Sequence, residues 1–97
     1  MKLYKLLPIA EQELYDSARF YKERSDGLGE QLLIDFESVM ERLGQYPESG
    51  PRVSRRLRVA RLRDFPYDVI YHIERERILV VAFGHQSRKP GYWRGRL

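Results

Sequence analysis

Phe65-Pro66-Tyr67-Asp68-Val69-Ile70-Tyr71-His72-Ile73, then Glu74-Arg75-Glu76-Arg77, then Ile78-Leu79-Val80-Val81-Ala82-Phe83-Gly84-His85: the reading of these blocks decides the fold. Two runs rich in β-branched and aromatic residues flank a charged connection, which is the pattern of a β-hairpin. The second run leads into Gln86-Ser87-Arg88-Lys89-Pro90-Gly91-Tyr92-Trp93. His85, Arg88, Lys89, Tyr92 and Trp93 therefore fall within nine residues at a strand exit. A rigid strand end can hold such side chains steady in front of solvent.

Working upstream, Arg55 to Arg63 reads as a preceding strand. Leu57 and Val59 fall on one side, Ala60 and Leu62 on the other, with arginines on both. Asp64 and Pro66 mark the turn into the hairpin, and Glu48-Ser49-Gly50-Pro51 is a turn-rich loop. Before that loop, Leu28, Leu32, Phe36, Val39 and Leu43 recur at helical spacing, with Leu33 and Met40 widening the stripe. Gly44 is predicted as a left-handed helix cap, and Pro47 prevents the helix from resuming. Ser25-Asp26-Gly27 separates this helix from an earlier one that starts at Pro8 and carries Leu14, Ala18 and Tyr21. Glu11, Glu13 and Asp16 sit in its opening turns, where negative charge suits the helix dipole.

Lys2 to Leu7 completes the set as a short strand whose pairing the pattern does not fix. The expected fold is α+β, in the order β-α-α-β-β-β. Its antiparallel-rich sheet is covered on one face by an N-terminal helical hairpin. Residues 1–97 are read as a single domain.

Composition narrows the function classes. The chain has 97 residues, 42% hydrophobic and 33% charged, which suits one modest core and argues against disorder. No apolar run is long enough to span a bilayer, and Met1-Lys2-Leu3-Tyr4-Lys5 does not resemble a secretory signal. A small soluble cytoplasmic protein with no membrane partner is expected. With no cysteine, disulfides, thiolate catalysis and Cys-based metal sites are excluded. The net charge of +4 hides a division: residues 1–48 hold six basic and ten acidic side chains, residues 49–97 twelve and four. One surface should therefore meet something acidic, either nucleic acid or an acidic protein.

Two clusters could carry function. Arg52, Arg55, Arg56, Arg58, Arg61 and Arg63 place six guanidinium groups in twelve residues, fitted to phosphate or carboxylate. The same pattern would also suit an edge strand kept from self-association by charge. In the tail, His85 could act as a general base, Arg88 could stabilise a phosphorane-like transition state, and Tyr92 could stack or shuttle a proton. Alternatively, Tyr92 and Trp93 fold back to cap the sheet, and His85 is satisfied locally. His72, alone in an apolar alternation, is read as structural, as are Tyr67 and Tyr71. Two histidines thirteen positions apart, with no carboxylate at ligand spacing, make no metal site. Phosphate loops and nucleophile-elbow sequences are also absent, so no cofactor is expected.

Taken together, several of these segments resemble the RelE/ParE superfamily of bacterial toxins. They are Phe65-Pro66-Tyr67 with Ile70-Tyr71, the strand Val80 to His85, and Arg88-x-Pro90-x-Tyr92-Trp93. Ala10-Glu11 and Pro47-x-x-Gly50 fit as well. The resemblance implies a toxin encoded beside an unstable antitoxin in a plasmid-stabilisation or stress module. The antitoxin would wrap the toxin and itself bind operator DNA. RelE-like members cut mRNA on the ribosome, whereas ParE-like members poison DNA gyrase.

On the nuclease pattern, Tyr92 matches the C-terminal tyrosine, and Arg61 or Arg63 could replace basic residues of the central strand. Asp68 and Gln86 stand where RelE-like nucleases usually carry arginines. The resemblance therefore points to a ParE-like gyrase poison. The alternative is a metal-independent endoribonuclease using His85, Arg88 and Tyr92. Arg55, Arg56, Arg58, Arg61, Arg63, Lys89 and Trp93 are the expected contacts to target, nucleic acid or antitoxin.

Overall fold

In a computed structural model that describes residues 2–97, the chain forms seven short elements. They are β1 (Leu3–Leu6), α1 (Pro8–Arg24), α2 (Leu28–Gln45), a 3-10 turn (Pro47–Ser49), β2 (Arg58–Arg61), β3 (Tyr67–Ile73) and β4 (Arg77–His85). The sheet order is β1-β4-β3-β2, with β2, β3 and β4 antiparallel and β1 parallel to β4. This is the α+β order read from the sequence, with the first strand now placed at an edge.

The helical hairpin forms for the reasons its sequence gives. Pro8 occupies the first turn of α1, and Ala10, Leu14 and Ala18 are buried at helical spacing. On α2, Leu32, Phe36, Val39, Met40 and Leu43 form the buried stripe. The two helices approach so closely that a Cβ at Gly29 would collide with the Ala18 carbonyl and stand 3.1 Å from Lys22 Cβ. Gly44, expected as a left-handed cap, is instead the last residue but one of the helix, and no positive φ occurs there. Its carbonyl accepts the Lys2 N–H at 2.9 Å, and Tyr46 followed by Pro47 ends the helix instead.

The arginine strand is shorter than predicted. Only Arg58–Arg61 is strand, because residues 53–57 close a tight turn: Val53 N–H donates to Leu57 O, and Ser54 Oγ accepts from Leu57 N–H. Its alternation holds, with Leu57 and Val59 on the sheet's outer face and Ala60 and Leu62 toward the helices. At the hairpin, Arg77 belongs to β4 rather than to the connection. Tyr67 and Tyr71 lie in the helix-facing core, where the Tyr71 hydroxyl donates to Pro47 O and accepts from Gly50 N–H.

The central strands are covered on both faces. Leu57, Ile70, Leu79, Val81, Ala82 and Trp93 form a second buried cluster on the face away from the helices. The C-terminal segment supplies its lid.

One register step links the two faces. Ile70 pairs with Ala82 and Tyr71 with Val80, which leaves Val81 as the extra residue of a β-bulge. Val81 and Ala82 consequently both join the outer cluster, and Phe83 turns back toward the helices beside Val80 and Ile78. Gly84 then faces outward. This phase of β4 positions everything at its exit.

Candidate functional site

β1 protects β4 only as far as Val80, whose carbonyl accepts the Leu7 N–H. Beyond it, side chains take the place of a neighbouring strand. Glu13, from α1, accepts the Phe83 N–H at 3.2 Å, and Arg96 Nη1 donates to the Val81 carbonyl at 3.2 Å. Arg96 also grips Glu13 with both nitrogens, at 2.7 and 3.0 Å, and Arg88 donates to the same carboxylate. Burial alone would raise the pKa of Glu13, but hydrogen bonds from Arg96, Arg88 and Phe83 hold it below the ordinary value. The sequence assigned Glu13 to the helix dipole. Its actual partners lie about seventy or more positions away, beyond the reach of local pattern.

Tyr92 lies beneath these cations. The Arg88 guanidinium stacks 3.9 Å from its ring centroid, and Arg96 stands 5.4 Å away. The phenol oxygen is buried with no hydrogen-bond partner, and the half-buried ring lies against Gly84, where a Cβ would stand 2.8 Å from Tyr92 Cζ. Gly84 is required for this contact. Burial, followed by the neighbouring Glu13 charge, pushes the phenol pKa up to about 12 despite both arginines.

His85 lies elsewhere. It is exposed, pairs with Tyr67 across the hairpin, and meets that helix-side ring edge-on at 5.2 Å. Its Nδ1 accepts the Ser87 N–H at 3.0 Å. The three candidates His85, Arg88 and Tyr92 are thus not brought to one point. Arg88 and Tyr92 stack together, while His85 leaves the strand on the helix side.

The other candidates divide according to partner. Arg58 turns inward, donating to the Gly50 and Glu48 carbonyls at 2.8 and 3.1 Å. Arg61 is exposed and faces Asp68 at 3.8 Å. Burial raises the pKa of Asp68, against the pull of Arg61 and Gln86, and its Oδ1 has no hydrogen-bond partner. Arg63 is exposed, although its backbone N–H and that of Asp64 are anchored by the buried Asp35 carboxylate at 3.1 and 2.7 Å. Arg55, Arg56 and Lys89 are exposed, whereas Trp93 is buried in the outer cluster. His72 is tied to the Arg56 carbonyl through Nδ1 at 2.9 Å. Among the described residues no group of His, Asp or Glu is placed to hold a metal ion, and no helix is long and apolar enough to cross a membrane.

The family model for the ParE toxin of the type II toxin-antitoxin system parDE matches residues 4–90. This chain belongs to the ParE toxin family. A chain from the chromosomal ParDE toxin–antitoxin system of P. aeruginosa superimposes with a TM-score of 0.69. That match covers 88% of this chain and 96% of the other at 18% identity, which speaks for a shared fold. No curated protein matches the sequence. Membership in a family of type II toxins implies an antitoxin partner. The matched span ends at Pro90, short of Tyr92, Trp93 and Arg96. In this ParE family member, those residues close the outer face and brace the exit of β4.

Proposed function

We propose that this chain acts by binding rather than by chemistry of its own, poisoning DNA gyrase until a cognate antitoxin neutralises it. Tyr92 carries the reading. A phenol that stays neutral to about pH 12, buried against Gly84, is poorly placed to move a proton near neutral pH. Its neighbour Arg88 is engaged by Glu13, and Asp68 would oppose charge developing on a phosphate. Family membership and the divided charge support an antitoxin that is acidic and covers part of the cationic half. Operator DNA would then be contacted through the antitoxin.

The test is brief induction in bacteria, with mRNA ends and gyrase-linked DNA breaks mapped in the same cells. Breaks that vanish in a gyrase-resistant background, with intact messages and undiminished toxicity of Tyr92→Phe, are the expected outcome. Codon-phased mRNA cuts that disappear on changing His85, Arg88 or Tyr92 would overturn the reading in favour of a ribosome-dependent endoribonuclease.

A further inference from the structure

The outer face of the sheet holds a second cationic cluster, distinct from the one gathered on Glu13. A cleft of about 230 Å³ opens between the turn at residues 53–57 and the C-terminal segment. Arg55, Arg56 and Arg94 line it above a floor that includes Leu57 and Trp93. Two distant stretches of sequence converge here, and neither brings an acidic side chain. Arg77, Arg88 and Arg96 each pair with a carboxylate, Arg61 faces Asp68, and Arg58 is held by carbonyls. Arg55, Arg56 and Arg94 form no ion pair among the described residues. They also differ from the exposed Arg63, Arg75 and Lys89, because they share one concave surface.

We propose that this cleft binds the phosphodiester backbone of duplex DNA. Guanidinium groups without local acids are the side chains that neutralise backbone phosphates and release their counterions. What the cleft lacks narrows the choice. Single strands are held on exposed aromatic platforms, but Trp93 is only 8% exposed, and the Tyr92 ring lies under Arg88. These arginines are assigned to phosphates, and phosphate contacts position a duplex without selecting its sequence, so operator choice stays with the antitoxin. It stands apart from the gyrase reading: either could fail while the other held.

The test uses the purified full chain without gyrase and a fluorescein-labelled 20-bp DNA duplex, with anisotropy measured across a salt series. Duplex binding should weaken with salt. Replacing Arg55, Arg56 and Arg94 with Ala should reduce affinity roughly tenfold or more and lower the slope of log affinity on log salt by about 2 to 3. A charge-matched variant on α1, with Arg19, Lys22 and Arg24 changed to Ala, should keep the parental slope. Circular dichroism melts serve as the folding control, and the single Arg94→Ala variant, with a slope change of about 1, provides the same reading on a milder background. Absence of duplex binding, or equal slopes in the two triple variants, would overturn the proposal. So would tighter binding to a 20-nucleotide single-stranded RNA, or displacement of DNA by oligoglutamate at equal charge concentration.

Discussion

The two ends of the outer sheet face treat their arginines in opposite ways. At the β4 exit, Arg88 and Arg96 converge on one carboxylate, Glu13, and the strand's exposed N–H and C=O groups are taken up by the same cluster. At the other end, Arg55, Arg56 and Arg94 surround a cleft with no acidic side chain. The first arrangement fixes a structure, and the second leaves charge available to a partner. Both belong to a half of the chain that looks uniformly basic in the sequence, so charge density alone does not distinguish a brace from a binding surface.

The strongest way to break this contrast is to remove Glu13. Glu13→Ala leaves two cations and a backbone N–H without their acceptor, and should destabilise the chain by about 3 kcal/mol in urea denaturation. Arg94→Ala, at the open end, should change stability by less than about 0.5 kcal/mol. Equal effects would mean that the two ends do not differ in kind.

A smaller effect is expected at Gly84. Gly84→Ala drives a methyl group into the Tyr92 phenol and should cost about 2 kcal/mol. Adding Tyr92→Leu should recover part of that loss, and a double-mutant cycle measures the coupling. Strict additivity would show that the phenol does not rest on Gly84.

The mildest probe is pH. Glu13 titrates below its ordinary value of 4.5 in the folded chain, so the unfolded state takes up a proton first as pH falls. The stability it contributes is present above that value and is lost progressively on acidification through the lowered folded pKa. Tyr92 has the opposite sign: its folded pKa is raised from 10.0 to about 12, so stability should decline as pH rises across that interval. Glu13→Gln should flatten the acid limb, and Tyr92→Phe the alkaline one, in denaturation curves taken across pH. Unchanged limbs in these variants would assign the slopes to other groups.

Much of the fold was legible because its signals are local. The stripe Leu32, Phe36, Val39, Leu43 announces α2, Pro8 announces the start of α1, and the hairpin is written in its β-branched runs. The parallel pairing of β1 was not legible, since a four-residue strand carries no mark of its neighbour. Gly44 misled because a glycine near a helix end has more uses than a left-handed cap.

Of the candidate site, residue types were readable and contacts were not. Trp93 and Tyr92 were recognised as notable, but their burial depends on a fold-back over the second face. One available signal was the nearly unbroken apolar run Ile78 to Phe83, which suits a strand covered on both sides. Glu13 and Asp35 gave no such signal, because a single acid in an amphipathic helix usually faces solvent.

The bulge at Val81 has a consequence for comparing this chain with its relatives. One supernumerary residue decides whether Gly84 or His85 faces the C-terminal segment. Between the bulge and the strand's end, correspondence by position and correspondence by orientation part company. A relative without that residue, aligned letter for letter, would seem to exchange the glycine on which a tyrosine rests for the exposed histidine beside it. In this strand, homologous positions have to be counted from the fold rather than along the string.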